Sequence, residues 1–73
     1  MMDRIVSTPG VRSGKPCIRG TRITVVDMLE YMAGGDTIPD LLEDFTELSR
    51  EDLLACLAYA AEQLNHEQSI AAE

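Results

Sequence analysis

Three short stretches share one local grammar, and that grammar commits most of the chain to helix. Thr24-x-x-Asp27, Thr37-x-x-Asp40 and Ser49-x-x-Asp52 each place a hydroxyl three residues ahead of a carboxylate. The hydroxyl can accept from an orphan amide of a first helical turn. The carboxylate can reach back to the capping residue while lying at the positive end of the helix dipole. Three such boxes predict three helices. Apolar spacing agrees, with Val25, Met28, Leu29 and Met32, then Ile38, Leu41, Leu42 and Phe45, then Leu53, Leu54, Leu57, Ala61 and Leu64 at helical intervals. Each helix is therefore expected to bury one stripe, with Met28 and Met32 as core rather than ligand residues. Gly34-Gly35 can end the first helix in a left-handed conformation, and Pro39 suits the first turn of the second. The links 34–37 and 46–49 are too short to let the helices separate. The pattern predicts a mainly α fold: a compact three-helix core of the helix-turn-helix class over residues 24–64, with 65–73 as a frayed tail.

Residues 1–23 read differently. Pro9, Gly10, Gly14, Pro16 and Gly20 interrupt any helix, leaving Ile5-Val6, Cys17-Ile18 and Ile23 as strand-like pieces between the turns Ser7-Thr8-Pro9-Gly10 and Arg19-Gly20-Thr21. A short extended arm or β-hairpin is expected there. Charge divides at the same place. Residues 1–22 hold five basic residues against Asp3 alone, a net +4, whereas residues 23–73 hold Arg50 against twelve acids, a net −11. The overall charge of −7 therefore hides a basic arm ahead of an acidic body.

Seventy-three residues of 45% hydrophobic content predict one small domain of marginal stability, for which a homodimer is the expected state. No apolar run approaches a membrane span, and Met1-Met2-Asp3-Arg4 leads into no signal-like segment, so a cytoplasmic protein without a membrane partner is expected. Cys17 and Cys56, far apart in such a chain, suggest neither disulfide nor zinc site, and both read as reduced.

Catalytic chemistry finds little support. Gly10 to Pro16 superficially resembles a phosphate-binding loop, but only three residues separate its glycines and Lys15 is followed by proline rather than a magnesium-binding hydroxyl. His66 stands alone in the expected tail, and a chain with three aromatics builds poorly the walled pocket that an acid–base pair needs. No enzyme activity, cofactor or metal is expected. Binding is the better prospect, since Arg12, Lys15, Arg19 and Arg22 crowd into eleven residues interleaved with glycine. Arg22, nearest the first helix, is expected to pair with Asp27 or Glu30, leaving at least two cations free. On the third helix, the side opposite Leu53, Leu57 and Leu64 would carry Glu51, Ala55, Ala58, Tyr59 and Glu62, with Asp52 at its edge. Such a face repels phosphate, and only Arg50 suits base or backbone contact. Ala55 and Ala58 beside Tyr59 suggest a dimer seam or protein contact instead.

The run Gly14-Lys15-Pro16-Cys17-Ile18-Arg19-Gly20-Thr21-Arg22-Ile23-Thr24-Val25 resembles the signature of the prokaryotic domain of unknown function family 433. The similarity continues through Met32-Ala33-Gly34-Gly35, Leu42-Glu43-Asp44-Phe45, Leu48-Ser49-Arg50-Glu51-Asp52 and Ala55-Cys56-Leu57-Ala58-Tyr59-Ala60, covering roughly residues 4–63. Thr46 departs from the family's frequent proline. The resemblance implies a homeodomain-like or winged-helix-like fold, frequently dimeric, and a VapB-like antitoxin of a type II toxin-antitoxin pair whose partner is a PIN-like ribonuclease toxin. In that role Arg12, Lys15 and Arg19 would meet the carboxylates that hold the nuclease's metal. The alternative is a DNA-binding regulator of helix-turn-helix type without a toxin, its arms neutralising phosphates. One protein can serve both roles by repressing its own operon.

Overall fold

All three helices form behind their capping boxes. The computed structural model describes residues 2–71, with side chains described from residue 3 to residue 66. Helix α1 spans Val25–Ala33, α2 Ile38–Asp44 and α3 Arg50–Ala71. In the first box the Thr24 hydroxyl accepts from the Asp27 N–H at 2.9 Å, and the Asp27 carboxylate accepts from the Thr24 N–H at 3.2 Å. Thr37 with Asp40 and Ser49 with Asp52 repeat both bonds. Thr24 is itself 1% exposed, so its box also satisfies a hydroxyl inside the core. Helix α1 ends at Gly34, which stays right-handed, while Gly35 takes the left-handed φ of +112° that turns the chain toward α2. Between α2 and α3 the Leu48 N–H bonds to the Phe45 carbonyl at 3.0 Å, placing Thr46 second in the turn, a position that also suits proline.

The residues ahead of α1 form a two-stranded antiparallel sheet. Strand β1 (Ile5–Val6) pairs with β2 (Cys17–Ile18), Ile5 opposite Ile18 and Val6 opposite Cys17. The sheet is stitched to α1 because the Val25 N–H bonds to the Pro16 carbonyl and the Ile18 N–H to the Ile23 carbonyl, each at 2.9 Å. A 3-10 turn at Met2–Arg4 was not expected from the sequence, and the turn at Gly14 is a tight left-handed one that also takes in Arg12 and Ser13. Gly20 is third in the turn closed by the Thr21 N–H on the Ile18 carbonyl, with a φ of +81° that glycine adopts without strain. A methyl group there meets no atom within 4 Å, so Gly20→Ala isolates the backbone cost. The variant is expected to lose about 1 kcal/mol, read as a melting point lower by roughly 4–8 °C.

Both strands and all three helices contribute to one core. Ile18 from β2, Val25 and Met28 from α1, Leu41 from α2, Leu48 from the link, and Leu53 and Cys56 from α3 form its centre. Ile5, Leu29, Met32, Ile38, Leu42, Phe45 and Tyr59 pack around them. The first two expected stripes therefore face inward. The third does not: Leu53 is fully buried, but Leu57 is 40% and Leu64 63% exposed, Ala61 is exposed, and Cys56 and Ala55 are buried instead. The reason is that α3 packs against α1, α2, β1 and the Met2–Arg4 turn together, which carries its buried arc toward Asp52, Ala55 and Tyr59. Helix α3 also runs past residue 64 to Ala71, and residues 72–73 of the expected tail lie outside the described residues.

Candidate functional site

The basic residues of the hairpin fall into two groups, those that hold it to the helices and those that face solvent. Arg4 Nη1 donates to Asp52 Oδ1 at 2.9 Å, and Arg12 Nη1 donates to Asp27 Oδ2 at 3.0 Å and to the Arg22 carbonyl at 2.8 Å. Asp27 and Asp52 thus each close a capping box and anchor an arginine. The hairpin is clipped to the starts of α1 and α3, and it is not a loose arm. Arg12 reaches Asp27 through the left-handed turn, where Arg12, Ser13 and Gly14 have φ of +48°, +60° and +78°. That conformation costs about 1–2 kcal/mol for each non-glycine residue, which the two bonds of the Arg12 guanidinium help to offset.

The expectation that Arg22 pairs with Asp27 or Glu30 is corrected: Arg12 takes Asp27, and Arg22 contributes only its carbonyl. Proximity in sequence favoured Arg22, but the left-handed turn folds Arg12 back over ten residues. Arg19 is exposed, with its Nε donating to the Asp3 carbonyl at 2.6 Å. Lys15, Arg22 and Arg50 are exposed and make no side-chain hydrogen bond or ion pair among the described residues. Of the three candidates for meeting a partner's carboxylates, Lys15 is immediately available, Arg19 is exposed but bonded to the Asp3 carbonyl, and Arg12 would first have to leave Asp27. Arg22, expected to pair internally, stands exposed without a side-chain partner among the described residues. Arg4 was not singled out in the sequence, since its partner lies 48 positions away and only the capping role of Asp52 hinted at a carboxylate there.

Electrostatics reinforce the clips. Burial alone would raise the Asp27 pKa, but the Thr24 N–H, the Arg12 guanidinium and the Thr24 hydroxyl outweigh it and hold the carboxyl below its ordinary 3.8. Asp52 behaves alike, with burial opposed by the Ser49 N–H, Arg4 and the Ser49 hydroxyl. Asp40 is lowered by the Thr37 N–H and hydroxyl, without a cation. Cys56 is driven the other way, to about 11, by burial and the nearby Asp52 charge, which leaves its thiol protonated and unreactive at neutral pH. Cys17 is also a free, buried thiol, its Sγ donating to the Lys15 carbonyl at 3.3 Å. Among the described residues no group of three or more His, Cys, Asp or Glu side chains is placed to hold a metal ion.

The expected contact face of α3 is also corrected. Ala55 is 1% exposed and so is turned away from any partner, whereas Ala58 and Tyr59 are half-buried, Tyr59 packing against the core while also lining a surface groove. Pro16, Val26, Leu29, Tyr59, Ala60 and Leu64 line this shallow groove between α1 and the middle of α3, and its walls are almost wholly apolar. A second, polar cleft is bounded by Asp3, Arg4, Arg19 and Asp52. No helix among the described residues is long and apolar enough to cross a membrane.

Comparison with known proteins places this geometry in context. Residues 5–60 match the family profile described as "Protein of unknown function (DUF433)". An uncharacterized protein of Sinorhizobium fredii is 32% identical over 56 residues, which cover 77% of this chain and 25% of that protein. The chain thus spans about a quarter of that curated relative's length. The crystal structure of a DUF433 member protein from Anabaena variabilis superposes with a TM-score of 0.81 at 33% identity, covering 96% of this chain and 69% of the other.

Proposed function

The chain belongs to the DUF433 family, and from that premise we propose that it is a non-enzymatic antitoxin whose basic hairpin binds and silences a PIN-like ribonuclease. The observation that carries this reading is the exposure of Lys15 and Arg22, without internal partners among the described residues, on a hairpin clipped at both ends to the helical body. A rigid mount lowers the entropy cost of ordering cations at an interface, and nuclease active sites that gather carboxylates around divalent metal supply the complementary charge. Arg19, in the cleft with Arg4 and Asp52, adds a third exposed cation. The partner would be met in the cytoplasm.

We also assign the three helices to the helix-turn-helix class, on the strength of the short links 34–37 and 45–49 between them. Base reading by α3 is nevertheless disfavoured, since Glu51 and Glu62 lie exposed on it and would repel phosphate. Repression of its own operon would therefore run through Lys15, Arg19, Arg22 and Arg50.

The test is co-purification with the nuclease encoded beside the gene. Lys15→Glu/Arg22→Glu, both changes at exposed positions, is expected to weaken the complex about 100-fold while the circular dichroism spectrum stays unchanged. Undiminished affinity sinks the antitoxin reading. A gel-shift titration in salt addresses the alternative, a DNA-binding regulator without a toxin. Binding that weakens steeply with salt and vanishes in the same double variant would favour it.

A further inference from the structure

The polar cleft at the end of the hairpin away from its connecting loop gathers two arginines, and we propose that it binds a single phosphate group through Arg4 and Arg19. The sheet brings them together. One step beyond the register that sets Ile5 opposite Ile18, the Arg19 N–H bonds to the Arg4 carbonyl at 2.7 Å, so the two arginines stand opposite each other across the hairpin. Both line one cleft of about 360 Å³ together with Asp3 and Asp52. Like charges directly opposite on neighbouring strands destabilise the pair, because their side chains leave the backbone only about 5 Å apart. The clip to α3 needs one of them, since Arg4 alone pairs with Asp52. An oxyanion between the two guanidiniums would turn their repulsion into attraction.

The hydrogen bonds leave donors unused and acceptors occupied. Arg19 is exposed, and its Nε donates to the Asp3 carbonyl at 2.6 Å, a bond that fixes the guanidinium without neutralising it. Arg4 gives Nη1 to Asp52 Oδ1, and its side chain stays 43% exposed. Both Nη atoms of Arg19, and Nε and Nη2 of Arg4, have no hydrogen-bond partner among the described residues. Asp52 has both oxygens engaged, Oδ1 by Arg4 and Oδ2 by the Ser49 N–H at 2.9 Å. The net +4 of residues 1–22 favours an anion at this end of the molecule, against the −11 of the body.

Shape and charge select the ligand. Each guanidinium is a planar fork that suits phosphate, and a tetrahedral phosphate has enough terminal oxygens to engage both forks at once, whereas one planar carboxylate fills a single fork. The volume of the cleft is near the lower limit for a small-ligand site, which suits one such group. Asp3 and Asp52 on its border disfavour a polyphosphate, whose further charges would meet them. The ligand is therefore inorganic phosphate or a phosphate monoester. The site stands apart from the antitoxin reading, which Lys15 and Arg22 carry, and it requires no nuclease.

Titration of the full chain by nuclear magnetic resonance, at ionic strength held constant with chloride, tests the proposal with inorganic phosphate, glycerol phosphate and acetate as probes. Inorganic phosphate is expected to shift the Arg4 and Arg19 signals and to saturate on the order of 1 mM, with acetate weaker by about tenfold. Tighter binding of glycerol phosphate would identify a monoester as the ligand and equal binding the free ion, and either result supports the site. Arg19→Gln, at an exposed position, is expected to raise the phosphate dissociation constant about tenfold with an unchanged circular dichroism spectrum, whereas Lys15→Gln/Arg22→Gln is expected to change it by less than about twofold. Shifts that grow linearly across the titration overturn the proposal. So does acetate bound as tightly as phosphate. A dissociation constant that Arg19→Gln leaves unchanged also overturns it.

Discussion

Leu53→Ala is expected to remove about 3 kcal/mol of stability, because Leu53 is fully buried at the centre of the core and a small domain relaxes only partly around the void. A domain of this length holds roughly 5 kcal/mol in total, so the folded-to-unfolded ratio would fall by about two orders of magnitude. The melting point should drop by roughly 12–25 °C. Leu57→Ala and Leu64→Ala, at exposed positions of the same helix, are expected to change stability by less than about 0.5 kcal/mol in dilute protein, where self-association does not contribute. Urea denaturation of the three variants decides the matter. Similar losses at all three positions would mean that α3 buries the stripe its periodicity suggests, and not the arc through Leu53 and Cys56.

Asp52→Ala should be among the most damaging changes at a polar residue, because its carboxylate, like that of Asp27, serves two structures. It closes the capping box of α3 through Ser49 and anchors Arg4, and with it the Met2–Arg4 turn. Loss of the cap costs about 1 kcal/mol, and loss of a partly exposed ion pair adds up to about 1 kcal/mol more. Asp40→Ala, which removes a cap without a cation, should cost less. The same carboxylates set the acid limb of stability. Asp27 and Asp52 titrate below their ordinary 3.8 when folded, so their contribution is fully present above that value and is lost as the pH falls through the lower folded values. The difference between wild type and Asp52→Ala should therefore be largest near pH 7 and should narrow below about pH 3.5. Urea midpoints at the two pH values check this, and a constant difference would show that charge contributes nothing to the clip.

The residues explain unevenly how much of this could be read in advance. The three helix starts were legible because a capping box is a bond between residues three apart, and nothing distant alters it. The hairpin was legible at Ile5-Val6 and Cys17-Ile18 because glycine and proline isolate them. The cations of the hairpin without a side-chain partner among the described residues are Lys15 and Arg22, and Arg22 was the one expected to pair. Their identities were less legible, because Arg12 and Arg22 are equally basic and Arg22 lies 5 positions from Asp27 against 15 for Arg12, so proximity pointed to the wrong arginine. The choice between them depended on a left-handed turn at two non-glycine residues that no propensity signals.

Helix α3 divides what the sequence determined from what the tertiary structure decided. Ser49, Asp52 and the spacing of apolar residues were enough to say that a helix begins at Arg50, because those interactions are local and repeat with the helix itself. They could not say which face is buried, since Leu53, Leu54 and Leu57 satisfy the same periodicity. That was decided by the four elements that close around Asp52, Ala55 and Cys56, from as far away in sequence as Arg4. Burial is a property of what packs against a helix. The same packing turned Ala55 of the expected contact face inward and left Leu57 and Leu64 in solvent.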